Sequence, residues 1–198
     1  MNERWPSFTA LYVVSDIHMG GRKDESRNFQ IFRRGERLGA LIRKLASDSD
    51  EVPAADGVCL VLNGDLIDTL AEDELRGYVA LDSGTALQVM EHLYTDPSFA
   101  PVWDGLKVFV QAGGHLVITL GNHDFELALP VVQRSIRSQL GGDANQIEFA
   151  TSGGGYTCRV GKATVFCTHG NEVDDWNSVD YTQLGWLANA SNAGRTVD

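Results

Sequence analysis

Four short runs of aliphatic and β-branched residues each stop at a small polar cluster. Tyr12-Val13-Val14-Ser15 runs into Asp16-Ile17-His18, and Val58 to Asn63 runs into Gly64-Asp65-Leu66-Ile67-Asp68. Leu116-Val117-Ile118-Thr119-Leu120 runs into Gly121-Asn122-His123-Asp124, and Ala163 to Thr168 runs into His169-Gly170. An apolar run of this length bounded by turn residues predicts a buried strand. The chain therefore carries Asp, Asn and His from distant positions to the ends of strands.

Between these runs the spacing becomes helical. Leu38, Leu41, Ile42 and Leu45 recur at i, i+3, i+4, i+7 and predict a helix with one buried face. Leu87, Met90, Leu93 and Tyr94 predict a second, stopped near Asp96-Pro97 because proline lacks the amide hydrogen that a helix interior uses. Phe99, Val102, Trp103, Leu106, Phe109 and Val110 continue at the same spacing up to Gly113-Gly114. Val132, Ile136 and Leu140 mark another helix before Gly141-Gly142. From Gln146 the pattern returns to strands, with Ile147-Glu148-Phe149 and then a hairpin of Tyr156 to Val160 and Ala163 to Thr168 around Gly161-Lys162. A short acidic helix or turn is expected over Ala71 to Arg76, and a weak amphipathic helix after Trp176. Strands alternating with helices and followed by strands predict a layered α/β domain.

Composition narrows the picture. At 198 residues the chain suits a single domain with a sizeable core. A net charge of −11 argues against general affinity for nucleic-acid backbone, which rests on a basic face. No apolar run approaches the ~20 residues needed to cross a bilayer, and the first residues lack the layout of a secretory signal, so a cytoplasmic location is expected. Cys59, Cys158 and Cys167 form no C-x-x-C and lie in apolar strand patterns, which predicts buried free thiols. Oligomeric state is not legible.

The polar strand ends have a common chemistry. Oxygen and imidazole donors together suit borderline divalent ions such as Mn²⁺, Fe²⁺ or Zn²⁺ better than calcium. If Asp16-Ile17-His18 is extended, its i, i+2 spacing puts both side chains on one face, able to grip one ion. Asp65 has two oxygens with which to bridge two ions, Asn122 offers a neutral amide oxygen, and His169 offers a nitrogen. Two ions about 3.5–4 Å apart suit hydrolysis of a phosphate ester by metal-bound hydroxide. His123 is placed to protonate the leaving oxygen or contact the phosphoryl group, with Asp124 to orient its other ring nitrogen.

In their order and spacing, Asp16-Ile17-His18, Gly64-Asp65-Leu66-Ile67-Asp68, Gly121-Asn122-His123-Asp124 and His169 resemble four signature blocks of the calcineurin-like metallophosphoesterases, over residues 11 to about 175. The resemblance implies a double β-sandwich flanked by helices in four αββα layers. It implies a dinuclear centre with Asp16 and His18 on one metal, Asp65 bridging, and Asn122 and His169 on the other. His123 and Asp124 match the family's catalytic pair, and a phosphodiester, pyrophosphate or phosphomonoester is the implied substrate. Ser15 to Gly20 and Thr168 to Asp174 are similar to the branch that includes UDP-2,3-diacylglucosamine hydrolases, although Asn171 stands where that branch tends to have Asp.

The family's fifth block, a Gly-His-x-His supplying one more histidine to each metal, does not occur, and no histidine follows His169. Three accounts stand. The 198 residues are a metallophosphoesterase domain lacking its C-terminal strands; Asp174 or Asp175 substitutes as a ligand; or the scaffold is a non-catalytic binding module.

Other candidates keep two readings. Asp68 either supports a metal-binding histidine or caps the next helix. His92 and His115 read as structural. The basic residues Arg22, Lys23, Arg27, Arg33, Arg34 and Arg37 read as a solvated face or a hold for an anion. Trp176 and Trp186 either line the site mouth or pack the core.

Overall fold

The computed structural model describes residues 5–23, 30–47, 55, 57–72, 79–80 and 82–192. Arg27, positions 73–76 and most of the expected loop at 47–53 fall outside them. The elements in chain order are β1 (Ser7–Phe8), β2 (Ala10–Val14), α1 (Gly35–Ser47), β3 (Val58–Asn63), α2 (Ser83–Thr95), α3 (Ala100–Gln111), β4 (His115–Thr119), α4 (Pro130–Leu140), β5 (Ile147–Ala150), β6 (Tyr156–Val160), β7 (Ala163–Cys167) and α5 (Tyr181–Asn192). Short 3-10 helices follow three of the polar clusters, at Thr69–Ala71, Phe125–Ala128 and Asn171–Val173.

The runs at β2, β3, β4 and β5 pair in parallel, in that order, as one sheet. Parallel pairing needs a long return connection for each strand, and the helical stretches supply it. All these strands end on the same side, which is why three of the polar clusters meet. The second sheet is smaller: β1 pairs with β6 in parallel, and β6 with β7 as the expected antiparallel hairpin.

The two sheets stack. Cys59 and Val61 of β3 and Val117 of β4 pack against Tyr156, Cys158 and Cys167 of the hairpin. All three cysteines are free and buried, as their strand settings predict. Burial pushes the Cys59 thiol up to about 12, so it stays protonated. The larger core lies on the other face of the parallel sheet, where the described helices contribute their buried residues. Trp103 and Phe109 of α3, Phe99 just before it, and Met19 are its largest fully buried members.

Two helical stripes turn differently from the expectation. Leu41 and Leu87, assigned to buried faces, are exposed. In α1 the buried positions are Gly35, Gly39, Ile42 and Ala46, because the helix approaches α3 through glycines. A Cβ on Gly39 would strike the Pro101 carbonyl, and one on Gly105 would press on Gly39. Contact between backbones, which an apolar periodicity does not record, rotates the helix. In α2 the stripe is Ala86, Val89, Met90 and Leu93, and again a small residue takes the inner place.

The larger sheet overhangs the smaller. Val13 shares the face of Leu11, which packs in the inter-sheet core, yet Val13 is 47% exposed. Among the described residues nothing pairs with the outer edge of β2.

Candidate metal centre

The first two polar clusters stay paired after their strands end. The amides of His18 and Met19 donate to the carbonyls of Asp65 (2.8 Å) and Leu66 (3.0 Å), and the Asp68 amide donates to the Met19 carbonyl (2.9 Å). This pairing bends both segments sharply. Asp16, His18 and Asp65 take φ of 56°, 53° and 52°, and no other described non-glycine residue has a positive φ. Such conformations cost an ordinary L residue roughly 1–2 kcal/mol, and they persist where the surroundings over-determine them. The extended Asp16-Ile17-His18 segment of the sequence reading is therefore corrected: both residues are left-handed.

Two glycines make the approach possible. A Cβ on Gly64 would overlap the His169 ring, and one on Gly121 would overlap the Asp65 carboxylate. Any side chain at either position displaces a ligand candidate.

The acidic and imidazole groups gather into two sets. Asp16, Asp65 and His169 offer ligand atoms within 4.8 Å of one another, and so do His18, Asp68 and His123. Asp16 and His18 are thus each grouped with different partners. Asp65 joins the sets: its Oδ2 lies 3.5 Å from His18 Nε2 and 3.3 Å from His169 Nε2. Its Oδ1 accepts the His123 amide (3.0 Å). Asn122, next in the chain to His123, turns its amide nitrogen toward Asn177 Oδ1 (3.4 Å).

His169 and His123 are each held through one nitrogen. His169 Nδ1 lies 3.0 Å from the Asn63 carbonyl, which can only accept, so Nδ1 donates there and Nε2 faces Asp65. Asn63 also donates to the Thr168 carbonyl (2.9 Å), tying the end of β3 to the end of β7. Sequence reasoning gave Asn63 no role; its signal was a polar residue closing an apolar run. His123 Nδ1 lies 3.3 Å from Asp68 Oδ1, and Asp68 Oδ2 lies 3.4 Å from His18 Nδ1. Asp68 makes no side-chain cap bond to the 3-10 helix after it. Its double reading thus resolves toward the histidines.

Asp124 is corrected as well. The carboxylate beside the His123 ring is Asp68, whereas Asp124 is fully buried and accepts the amides of Leu66 (2.8 Å) and Gly121 (2.8 Å). It fastens the second cluster to the third. Burial raises its pKa to about 7, against the pull of those two amides.

The donor set fits divalent ions. Asp65, Asp68, Glu72, Asp124 and Glu126 are all buried, and among the described residues no lysine or arginine is. Buried carboxylates without a counter-charge demand protons or a cation. His18 Nδ1 is buried without a hydrogen bond, and two imidazole nitrogens crowd one Asp65 oxygen. Cations held by the two sets satisfy Asp65, Asp68 and His18 together, whereas Glu72, Asp124 and Glu126 lie outside the sets.

A family model for calcineurin-like phosphoesterases matches residues 9–197. The chain belongs to the calcineurin-like phosphoesterase family. Comparison with curated proteins and with solved structures gives no match. The stacked sheets and flanking helices agree with the α/β sandwich that membership implies.

Neither Asp174 nor Asp175 enters the two sets. Asp174 accepts instead from the Trp176 amide (3.0 Å) and the Asn177 side chain (2.7 Å). Trp176, 95% exposed, and Trp186 are not core residues. Among the described residues no helix is long and apolar enough to cross a membrane.

Proposed function

We propose that this phosphoesterase hydrolyses a phosphodiester, pyrophosphate or phosphomonoester at the site where the two residue sets meet. The observation that carries the reading is Asp65 standing between His18 and His169 with a second triplet, containing His123, directly behind it. Asp16, His18, Asp65, Asp68, Asn122 and His169 are the residues that would hold Mn²⁺, Fe²⁺ or Zn²⁺. Bound there, such ions supply Lewis acidity toward a phosphoryl oxygen and make a water molecule acidic.

The protein's own part is positioning and proton transfer. Asp68 fixes His123 through Nδ1, leaving Nε2 to donate to the leaving oxygen. Asn63 fixes the His169 tautomer, and Asp124 sets the distance between the second and third clusters. Within the family, the form of the Ser15 to Gly20 and Thr168 to Asp174 segments supports a UDP-2,3-diacylglucosamine-like pyrophosphate as the first natural compound to assay.

Hydrolysis of bis(p-nitrophenyl) phosphate by the Mn²⁺-loaded protein tests the reading. Turnover that disappears in Asp65→Ala and collapses in His123→Ala is the expected result. A folded, Mn²⁺-binding protein with no turnover on any phosphate ester would instead support a binding module.

A further inference from the structure

Gly21, just past the first polar cluster, has both of its backbone polar groups held by buried side chains. Its amide donates to Glu72 Oε1 (2.9 Å), and its carbonyl accepts from Gln30 Nε2 (3.1 Å). The other Glu72 oxygen lies 3.0 Å from His92 Nδ1, on α2. His92 Nε2 lies 3.5 Å from Asp96 Oδ2, and that same oxygen accepts from Gln30 Nε2 (3.2 Å). The contacts close into a ring of Gly21, Glu72, His92, Asp96 and Gln30. Glu72 and Gln30 are each only 2% exposed.

Its place in the fold gives the ring a task. Glu72 follows the 3-10 helix that begins directly after Asp68, so it is tied by its own chain to the second cluster and by Gly21 to the first. Gly20, between His18 and Gly21, packs so closely on the Asp68 carbonyl that a Cβ would overlap it. His18, three residues before Gly21, sits in the strained left-handed region. A strained ligand segment keeps its geometry only if fastened on both sides. Upstream, strand β2 does this; downstream, the Met19 pairings with Leu66 and Asp68 begin it, and Glu72 extends the fastening to Gly21. The ring also lies outside both sets of candidate metal ligands.

We propose that Glu72, backed by His92, is a positioning residue that holds His18 and Asp68 in register for metal binding. The proposal rests on the metal-centre reading above. His92 faces the buried Glu72 carboxylate, and its hydrogen bond to Glu72 raises the imidazole pKa against the effect of burial. Outer partners of metal ligands are worth roughly 10–100-fold in metal affinity.

The test is Mn²⁺ titration by calorimetry of the full chain and of Glu72→Ala, Glu72→Gln and His92→Ala, with amide hydrogen exchange at Gly21 in metal-free protein. Glu72→Ala is expected to weaken Mn²⁺ binding about 10-fold or more and to speed exchange at Gly21. Glu72→Gln keeps an oxygen for the Gly21 amide and should restore most of the affinity, which a merely structural defect would not predict. His92→Ala should shift both readouts in the direction of Glu72→Ala, and it carries the test if that variant does not fold. Wild-type affinity in a folded Glu72→Ala or His92→Ala, or a Glu72→Gln as weak as Glu72→Ala, would overturn the proposal while leaving the metal reading intact. No Mn²⁺ binding by the wild type would remove both.

Discussion

The two walls of the site are built in opposite ways. On the parallel-sheet side, Asp16 to Gly21 and Gly64 to Glu72 are zipped by backbone bonds, buttressed by Asp124 and closed off by Glu72 and Gln30. On the hairpin side, His169 hangs on the Asn63 carbonyl, and the segment after it bonds largely to itself. There Asp174 accepts from Trp176 and Asn177, and Asn171 Nδ2 donates to the Asn177 carbonyl (3.1 Å), while Val173 and Trp176 stand in solvent. A dense buried network holds residues in conformations they would not choose alone, whereas an exposed loop cannot store strain. That difference assigns geometric precision to the first wall and leaves the second as the adaptable rim.

The sharpest way to break this contrast is substitution of the shared ligand. Asp65→Ala should abolish Mn²⁺-dependent hydrolysis, losing more than His123→Ala, for which a fall of about 10²–10⁴-fold is expected from loss of a proton donor. Steady-state kinetics on bis(p-nitrophenyl) phosphate measures both.

Next is the core behind the rigid wall. Trp103→Ala, at a fully buried position on α3, should cost roughly 3–5 kcal/mol, read by urea unfolding. Gly39→Val should cost about 1–3 kcal/mol through collision with the Pro101 carbonyl, a helix-to-helix contact that no flexible side chain can yield.

The buried acid gives a pH signature. The folded-state pKa of Asp124 stands at about 7, above its ordinary carboxylate value, so between the two the folded protein holds a proton that the unfolded chain has released. The contribution to stability is full at acidic pH and is lost as pH rises toward 7, by up to about 1.4 kcal/mol per pH unit in metal-free protein. Asp124→Asn should flatten this slope in unfolding curves collected across that window, while leaving one of the two amides poorly paired.

The smallest effect belongs to the rim. Trp176→Ala should change stability by no more than about 0.5 kcal/mol, since the side chain buries almost nothing. A large loss of stability there would show that the second wall is as tightly built as the first.

The order and chemistry of the four polar clusters, the helix-forming stretches and the hairpin were legible in the sequence, because periodicity and strand-ending glycines are local properties. Where each helix turned its face was less so: Leu41 and Leu87 lost their buried places to glycine and alanine, since close backbone approach leaves no apolar signal.

The sequence by itself determined which residue types reach the strand ends, and with them the family and the class of chemistry. Only the tertiary structure decided that Asp68 rather than Asp124 lies against His123, that Asp16 and His18 fall into different sets, and that Glu72 accepts the Gly21 amide just past the first cluster. The physical reason is that these assignments depend on left-handed backbone conformations and on contacts across roughly fifty positions of chain, neither of which is encoded in the spacing of one segment.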